Sequence, residues 1–354
     1  MGSENSCVRD NTVSMAKGVG ILLMVMGHSG CPMYLLKVIY MFHIPLFFLL
    51  SGYCFKEKYI SDWRTYIWRR VKGLYWPFVK WGVFFIVFHN VLCYIHINPQ
   101  NALWGEHFYS GIGGNAMKMV TRIICWEPML GGYWFLRELF LGSIIAYLTM
   151  RLMGMYRNYS WIVLVIVSIL FREFDLVIFP QDIAISFLSF YAAAFVSFGY
   201  AMKNRLCSFR NSYCMIGLLF VIIVVCSVIY PRHEFFNQSS ISMFPYLLTS
   251  TCGTLMVLLI CKRLLGHETI SRILVFCGNH SLTILTWHFL SFKLISLIMI
   301  FIYGLPVERL SDHPVIYMPP FWWVAYFLIG ALCPILAFCW GDFLILKVKR
   351  IIKR

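Results

Sequence analysis

Acidic residues are scarce in this chain. Only 15 of its 354 residues are Asp or Glu, against 30 Lys and Arg, and charged residues of every kind make up 13%. A soluble domain carries about 25%, so this chain has too few charges to cover a water-facing surface. Its length would allow two soluble domains, but no polar stretch is long enough to build one. Metal-ligand spacing is missing as well. The 13 cysteines include no Cys-x-x-Cys pair and no Cys/His cluster. Those in apolar runs, such as Cys93, Cys226 and Cys252, read as small buried hydrophobes, and no metal is expected. The first apolar run lacks a small-residue cleavage site, so it reads as a span and not as a leader. No internal repeat or low-complexity segment is visible, and residues 1–354 read as a single membrane domain without a separate soluble part.

What is present is apolar. The chain is 60% hydrophobic, with a mean hydropathy of +0.75. The fold class this predicts is all-α, a polytopic membrane helix bundle with about ten transmembrane helices. The spans fall near 13–30, 38–55, 76–97, 133–150, 158–172, 183–201, 213–230, 245–261, 281–303 and 321–346. Several are shorter than the ~20 residues of a straight crossing, so their ends must extend or the bundle must be irregular.

The net charge of +15 would favour nucleic acid on a soluble protein. Here Lys and Arg fall mainly between spans, so topology explains them and the expected partner is the lipid bilayer, not nucleic acid. With the N-terminus inside, 20 of the 30 lie on the cytoplasmic side and six outside, while Lys17, Lys80, Arg137 and Lys293 fall within spans. Basic residues concentrate on the cytoplasmic side of membrane proteins. The expectation is a multi-pass protein of the plasma (inner) membrane with both termini cytoplasmic. The longest outer loop, 98–132, contains Trp104, Glu106, His107 and Trp126-Glu127-Pro128, and loops of that length often cover a site.

Ionisable residues inside apolar runs cost free energy and mark candidate sites. Lys17 and His28 are 11 residues apart in the first span. At ~100° per residue they share one helix face, roughly 16 Å apart along the axis. His43 lies in the second span, next to Pro45; Arg137 and Glu138 begin the fourth; His288 lies within the ninth. This set suits acyl transfer. A poor nucleophile such as a sugar hydroxyl needs a general base, which His28 or His43 could supply. A developing oxyanion needs a cation or N–H donors, which Arg137 or Lys17 could supply. Phosphates of a nucleotide-bearing donor need basic residues, and Arg69, Arg70 and Lys72 follow the second span. Structural duties compete with each role. His89 reads as a histidine satisfied by a neighbouring helix, His43 could satisfy the carbonyl that Pro45 frees, and Arg137 with Glu138 could be a helix-end pair.

These residues resemble the acyltransferase 3 family of integral-membrane acyltransferases. Lys17 and His28 match that family's basic residue, ten residues, then His. The run Phe42-His43-Ile44-Pro45-Leu46-Phe47-Phe48-Leu49-Leu50-Ser51-Gly52-Tyr53 is similar to its second-span pattern almost position for position. Weaker likenesses follow in order at Arg69 to Pro77, at Tyr133-Trp134-Phe135-Leu136, and at Gly278-Asn279-His280-Ser281-Leu282 with His288. The family's first basic residue is often Arg; Lys17 lacks that bidentate fork.

The resemblance implies transfer of an acyl group, most often acetyl from acetyl-CoA, to a hydroxyl of a cell-surface or lipid-linked glycan. His28, Lys17, His43, Arg137 and Glu138 would be catalytic, Arg69, Arg70 and Lys72 would bind acetyl-CoA, and Trp134 and His288 would meet substrate. A transporter or flippase of a lipid-linked saccharide would use the same polar interior. It would more often show paired repeats with broken helices. A membrane polymerase would need larger outer loops.

Overall fold

The computed structural model describes residues 11–99, 108–180, 183–203, 212–230, 234–236, 239–317 and 321–352. Trp104, Glu106 and His107 of the outer loop lie outside the described residues. So do both chain ends and Arg9, Arg205, Arg210 and Arg232 of the charge count.

The described residues are helical almost throughout. In chain order they form α1 (Asn11–His28), α2 (Met33–Tyr40), α3 (His43–Tyr53), α4 (Lys58–Ser61), α5 (Trp63–Arg70), α6 (Trp76–Tyr94), α7 (Ile112–Arg122) and α8 (Tyr133–Leu152). There follow α9 (Ser160–Glu173), α10 (Phe187–Ala201), α11 (Tyr213–Ile229), α12 (Ser240–Leu264), α13 (Glu268–Asn279), α14 (Ser281–Tyr303) and α15 (Trp322–Ile352). Among these residues the one β contact is an isolated bridge between Ile178 and Ile185.

Six helical runs are long and apolar enough to cross a membrane: Met33–Tyr53, Trp63–Tyr94, Gly154–Glu173, Ser242–Leu264, Ser281–Tyr303 and Trp322–Trp340. α10 and α11 are shorter apolar helices. α1 and α8, of 18 and 20 residues, carry the in-span charges Lys17, Arg137 and Glu138. The protein is an all-α membrane bundle. Each of the ten expected segments is helical, but length and apolarity alone qualify six.

The second expected span is not one helix. It breaks at Met41 and Phe42, where Phe42 leaves helical geometry with a φ of −152°. Pro45 has no N–H for the carbonyl four residues back, that of Met41. Ser250 Oγ donates to that carbonyl instead, at 2.9 Å. Tyr246 Oη donates to the carbonyl of Tyr40 at 3.0 Å, and His43 Nδ1 bonds that of Ile39 at 2.9 Å. Side chains thus satisfy the backbone groups that the break releases, as a low-dielectric interior requires.

A second irregularity follows α5. Val71–Tyr75 forms a π-helical turn before α6, where Pro77 removes the N–H that Gly73's carbonyl would have accepted. This turn carries Gly73 and Leu74 onto the wall of the central cavity.

Close packing fixes the helices around that cavity. A Cβ on Gly52 of α3 would collide with the carbonyl of Val196 on α10. One on Gly278 of α13 would collide with the carbonyl of Ser14 on α1. Small residues let helix backbones approach in this way, and they hold α13 along α1. Large buried rings (Tyr66, Tyr133, Tyr191, Phe195 and Phe292) fill the main core.

Candidate active site

A cavity of about 980 Å³ runs through the bundle. Its wall includes Lys17 and His28 of α1, His43 and Ser51 of α3, Arg70 of α5, and Trp134, Arg137 and Glu138 of α8. Seven of the ten site residues expected from sequence therefore face one space. Arg69, Lys72 and His288 are not on its wall.

The α1 wall is chemically open. His28 ends α1 and is half-buried. Among the described residues it makes no hydrogen bond, so its ring nitrogens are not committed to the protein. Its ring packs on Phe289 at a centroid distance of 5.0 Å and on His288 at 5.6 Å. Lys17 has neither an ion pair nor a hydrogen bond among the described residues. No described carboxylate therefore holds this cation on the cavity wall.

The other histidines are committed. His43 is buried, with Nδ1 bonded to the Ile39 carbonyl and its ring stacked on Tyr40 at 5.0 Å. Only Nε2 remains for chemistry. His288 is fully buried, with Nδ1 against the carbonyls of Leu285 and Ile284 at 3.0 and 3.2 Å. Among the described residues its buried Nε2 has no hydrogen-bond partner. It supports His28 through ring contact instead of lining the cavity. His280 bonds the Phe276 carbonyl at 2.9 Å and lies off the cavity wall.

The α8 wall is chemically closed. Arg137 pairs with Glu138 through Nη1 and donates through Nη2 to the carbonyls of Ile183 and Ala184. Ser189 Oγ donates to the second Glu138 oxygen at 2.6 Å. Of the Arg137 nitrogens, Nε is buried without a partner. Both carboxylate oxygens of Glu138 are thus occupied by protein donors.

At the end of the cavity carrying Arg70, the guanidinium lies over the Tyr66 ring at 5.0 Å. Tyr66 is itself fixed by stacking on Tyr147 at 4.9 Å and by donating to the Ser143 carbonyl at 3.1 Å. Arg69 is exposed and donates to Tyr59 Oη at 2.9 Å; Lys72 is exposed. Among the described residues no group of three or more His, Cys, Asp or Glu side chains could hold a metal ion.

Residues 11–339 match the family model described as an acyltransferase domain. The chain belongs to the acyltransferase 3 family. No curated protein and no solved structure matches it.

The cavity wall of this membrane acyltransferase also includes positions that the sequence did not single out. Ser51 Oγ is buried on the cavity wall with no hydrogen-bond partner among the described residues; a serine in an apolar run gives little warning of that. His313 lines the same cavity, with its ring 4.8 Å from Phe289. It lies in the connection after α14. Burial, with the nearby Lys293 and His28 charges, holds its imidazole down at about 3. Through its Nδ1, His89 meets not a neighbouring helix but Glu127 Oε2 at 3.0 Å, in the connection before α8, with both side chains buried. Tyr109 stacks on it at 3.8 Å. An open base, an open cation and a basic end in one cavity are the parts that acyl transfer to a hydroxyl requires.

Proposed function

We propose that this acyltransferase moves an acetyl group from acetyl-CoA to a hydroxyl of a cell-surface or lipid-linked glycan. In this reading it does so in the plasma membrane, with both termini cytoplasmic. The observation that carries the reading is a His28 and a Lys17, each without a hydrogen bond or ion pair among the described residues, on one wall of a cavity that also reaches Arg70. In this reading His28 takes the proton of the acceptor hydroxyl while that oxygen attacks the thioester carbonyl. The carbon–sulfur bond breaks, and the departing thiolate takes the proton from the imidazolium. Lys17 holds the donor by charge, and Arg70 meets its phosphates at the cytoplasmic end. The basic asymmetry of the chain supports that orientation.

The test is reconstitution of the full chain in lipid nanodiscs with isotopically labelled acetyl-CoA and mass analysis of glycans from cells with and without the protein. A gain of one acetyl mass per modified sugar is the expected result. Unmodified glycans alongside intact donor binding would defeat the acceptor assignment. On the donor side, Arg70→Ala should raise the Kd for acetyl-CoA about tenfold, as for loss of one charge-assisted contact. Arg69→Ala should change it by no more than about twofold, since its guanidinium already serves Tyr59. Equal effects would mean that the cavity wall is not what selects the donor contact.

A further inference from the structure

One part of the cavity wall has no role in the scheme above. Residues 234–236 lie in the connection between α11 and α12, and all three line the cavity. Phe235 anchors the segment. It is buried between Phe48 at 5.1 Å, Tyr191 at 5.4 Å and Trp134 at 6.1 Å. Phe236 follows it and remains 55% exposed, its ring edge-on to Trp134 at 5.7 Å. Glu234 acts electrostatically on the phenols of Tyr40 and Tyr246, both on the same wall. Tyr40 in turn stacks on His43.

An exposed aromatic ring near the start of a membrane helix usually belongs to an interfacial belt facing lipid. Phe236 and Trp134 differ, because both line the cavity, whose wall also holds the Glu234 carboxylate. That combination suits one kind of ligand. A pyranose has an apolar C–H face that lies on aromatic rings, and a rim of hydroxyls that donate to a carboxylate. A ligand site is typically mostly apolar, with a few placed polar groups that fix orientation.

We propose that Phe236, Trp134 and Glu234 form the acceptor subsite. The Phe236 ring receives the apolar face of a pyranose, Trp134, edge-on to it, bounds the site, and Glu234 accepts hydrogen bonds from the sugar hydroxyls. The subsite lies on the same cavity wall as Tyr40 and His43. This rests on the glycan acceptor proposed above and names the residues that select it.

The experiment uses the full chain in nanodiscs with radiolabelled acetyl-CoA. The acceptor probes are short alkyl glycosides of glucose, galactose, mannose, rhamnose and N-acetylglucosamine. With the best probe, Phe236→Ala should raise the acceptor KM about tenfold, the scale of one lost ring contact. Phe236→Trp should restore it, and Glu234→Gln should raise it again. The acetyl-CoA Kd, read by calorimetry, should stay at the wild-type value in all three. A wild-type acceptor KM in Phe236→Ala, with transfer intact, would overturn the subsite and leave the glycan reading standing. A wild-type protein that binds acetyl-CoA yet acetylates none of the probes would overturn both. A parallel rise in acceptor KM and donor Kd would show that the segment only holds the bundle together, which also overturns the subsite.

Discussion

The two walls of the cavity carry similar groups and leave them in opposite states. On α1, the cation Lys17 and the base His28 have no hydrogen bond or ion pair among the described residues. On α8, the cation Arg137 and the base Glu138 are joined to each other, to two backbone carbonyls and to Ser189. The difference decides which pair can serve a ligand. A half-buried cation on a cavity wall with no described partner keeps its charge available to whatever enters the cavity. A closed pair spends its electrostatics on the fold.

The sharpest way to break this comparison is to remove the base on the open wall. His28→Ala should lower acetyl transfer by about 10²–10⁴, the range of a positioned general base, while acetyl-CoA affinity stays unchanged. Wild-type turnover in that variant would remove His28 from the chemistry. His43 would then be next, through the one ring nitrogen that the Ile39 carbonyl does not hold.

The closed wall should fail in a different currency. Glu138→Ala leaves the Arg137 cation buried without its partner, a loss of about 3–5 kcal/mol for pairs of this kind. The expected result is lower yield of monodisperse protein and a lower melting temperature. Glu138→Gln keeps an acceptor for Ser189 and should lose less. A stable Glu138→Ala protein that binds donor but has lost transfer would place Glu138 among the reacting groups and erase the contrast between the walls.

The open wall was legible because helix geometry is rigid. Eleven residues return a side chain to its starting face, so the sequence alone puts Lys17 and His28 together. The commitment of Arg137 was not legible. Its carbonyl partners at 183 and 184 lie far along the chain, and only packing brings them in. The break at Met41 and Phe42 was half legible. Pro45 announces a missing N–H, but the hydroxyls that take the freed carbonyls come from Tyr246 and Ser250 on α12. His313 and the 234–236 segment lay in connections without periodicity, where sequence has least to say.

Lys17 sharpens the comparison by asking for charge or for shape. Lys17→Ala should reduce kcat/KM for the donor by about tenfold to a hundredfold, the scale of one hydrogen bond to a charged group. Lys17→Arg should keep most of the activity if charge alone is needed. Full activity in Lys17→Ala would mean that the open cation has no ligand.

The smallest effect concerns His313, the one cavity imidazole outside the helices. Its folded value of about 3 lies below the ~6.5 of an unperturbed imidazole. The unfolded chain therefore binds a proton there that the folded chain refuses. The stability that this provides is fully present above about pH 6.5 and is lost as the pH falls toward 3. The melting temperature should drop over that window, and His313→Gln should flatten part of the drop. Catalysis should behave otherwise. A group already neutral at working pH cannot set the acidic limb of transfer, so His313→Gln should leave that limb where it is. In the proposed scheme the reacting base is His28 on the open wall. A shift of the acidic limb in His313→Gln would show that the two imidazoles titrate together, and the open wall would then comprise a linked pair and not a single base.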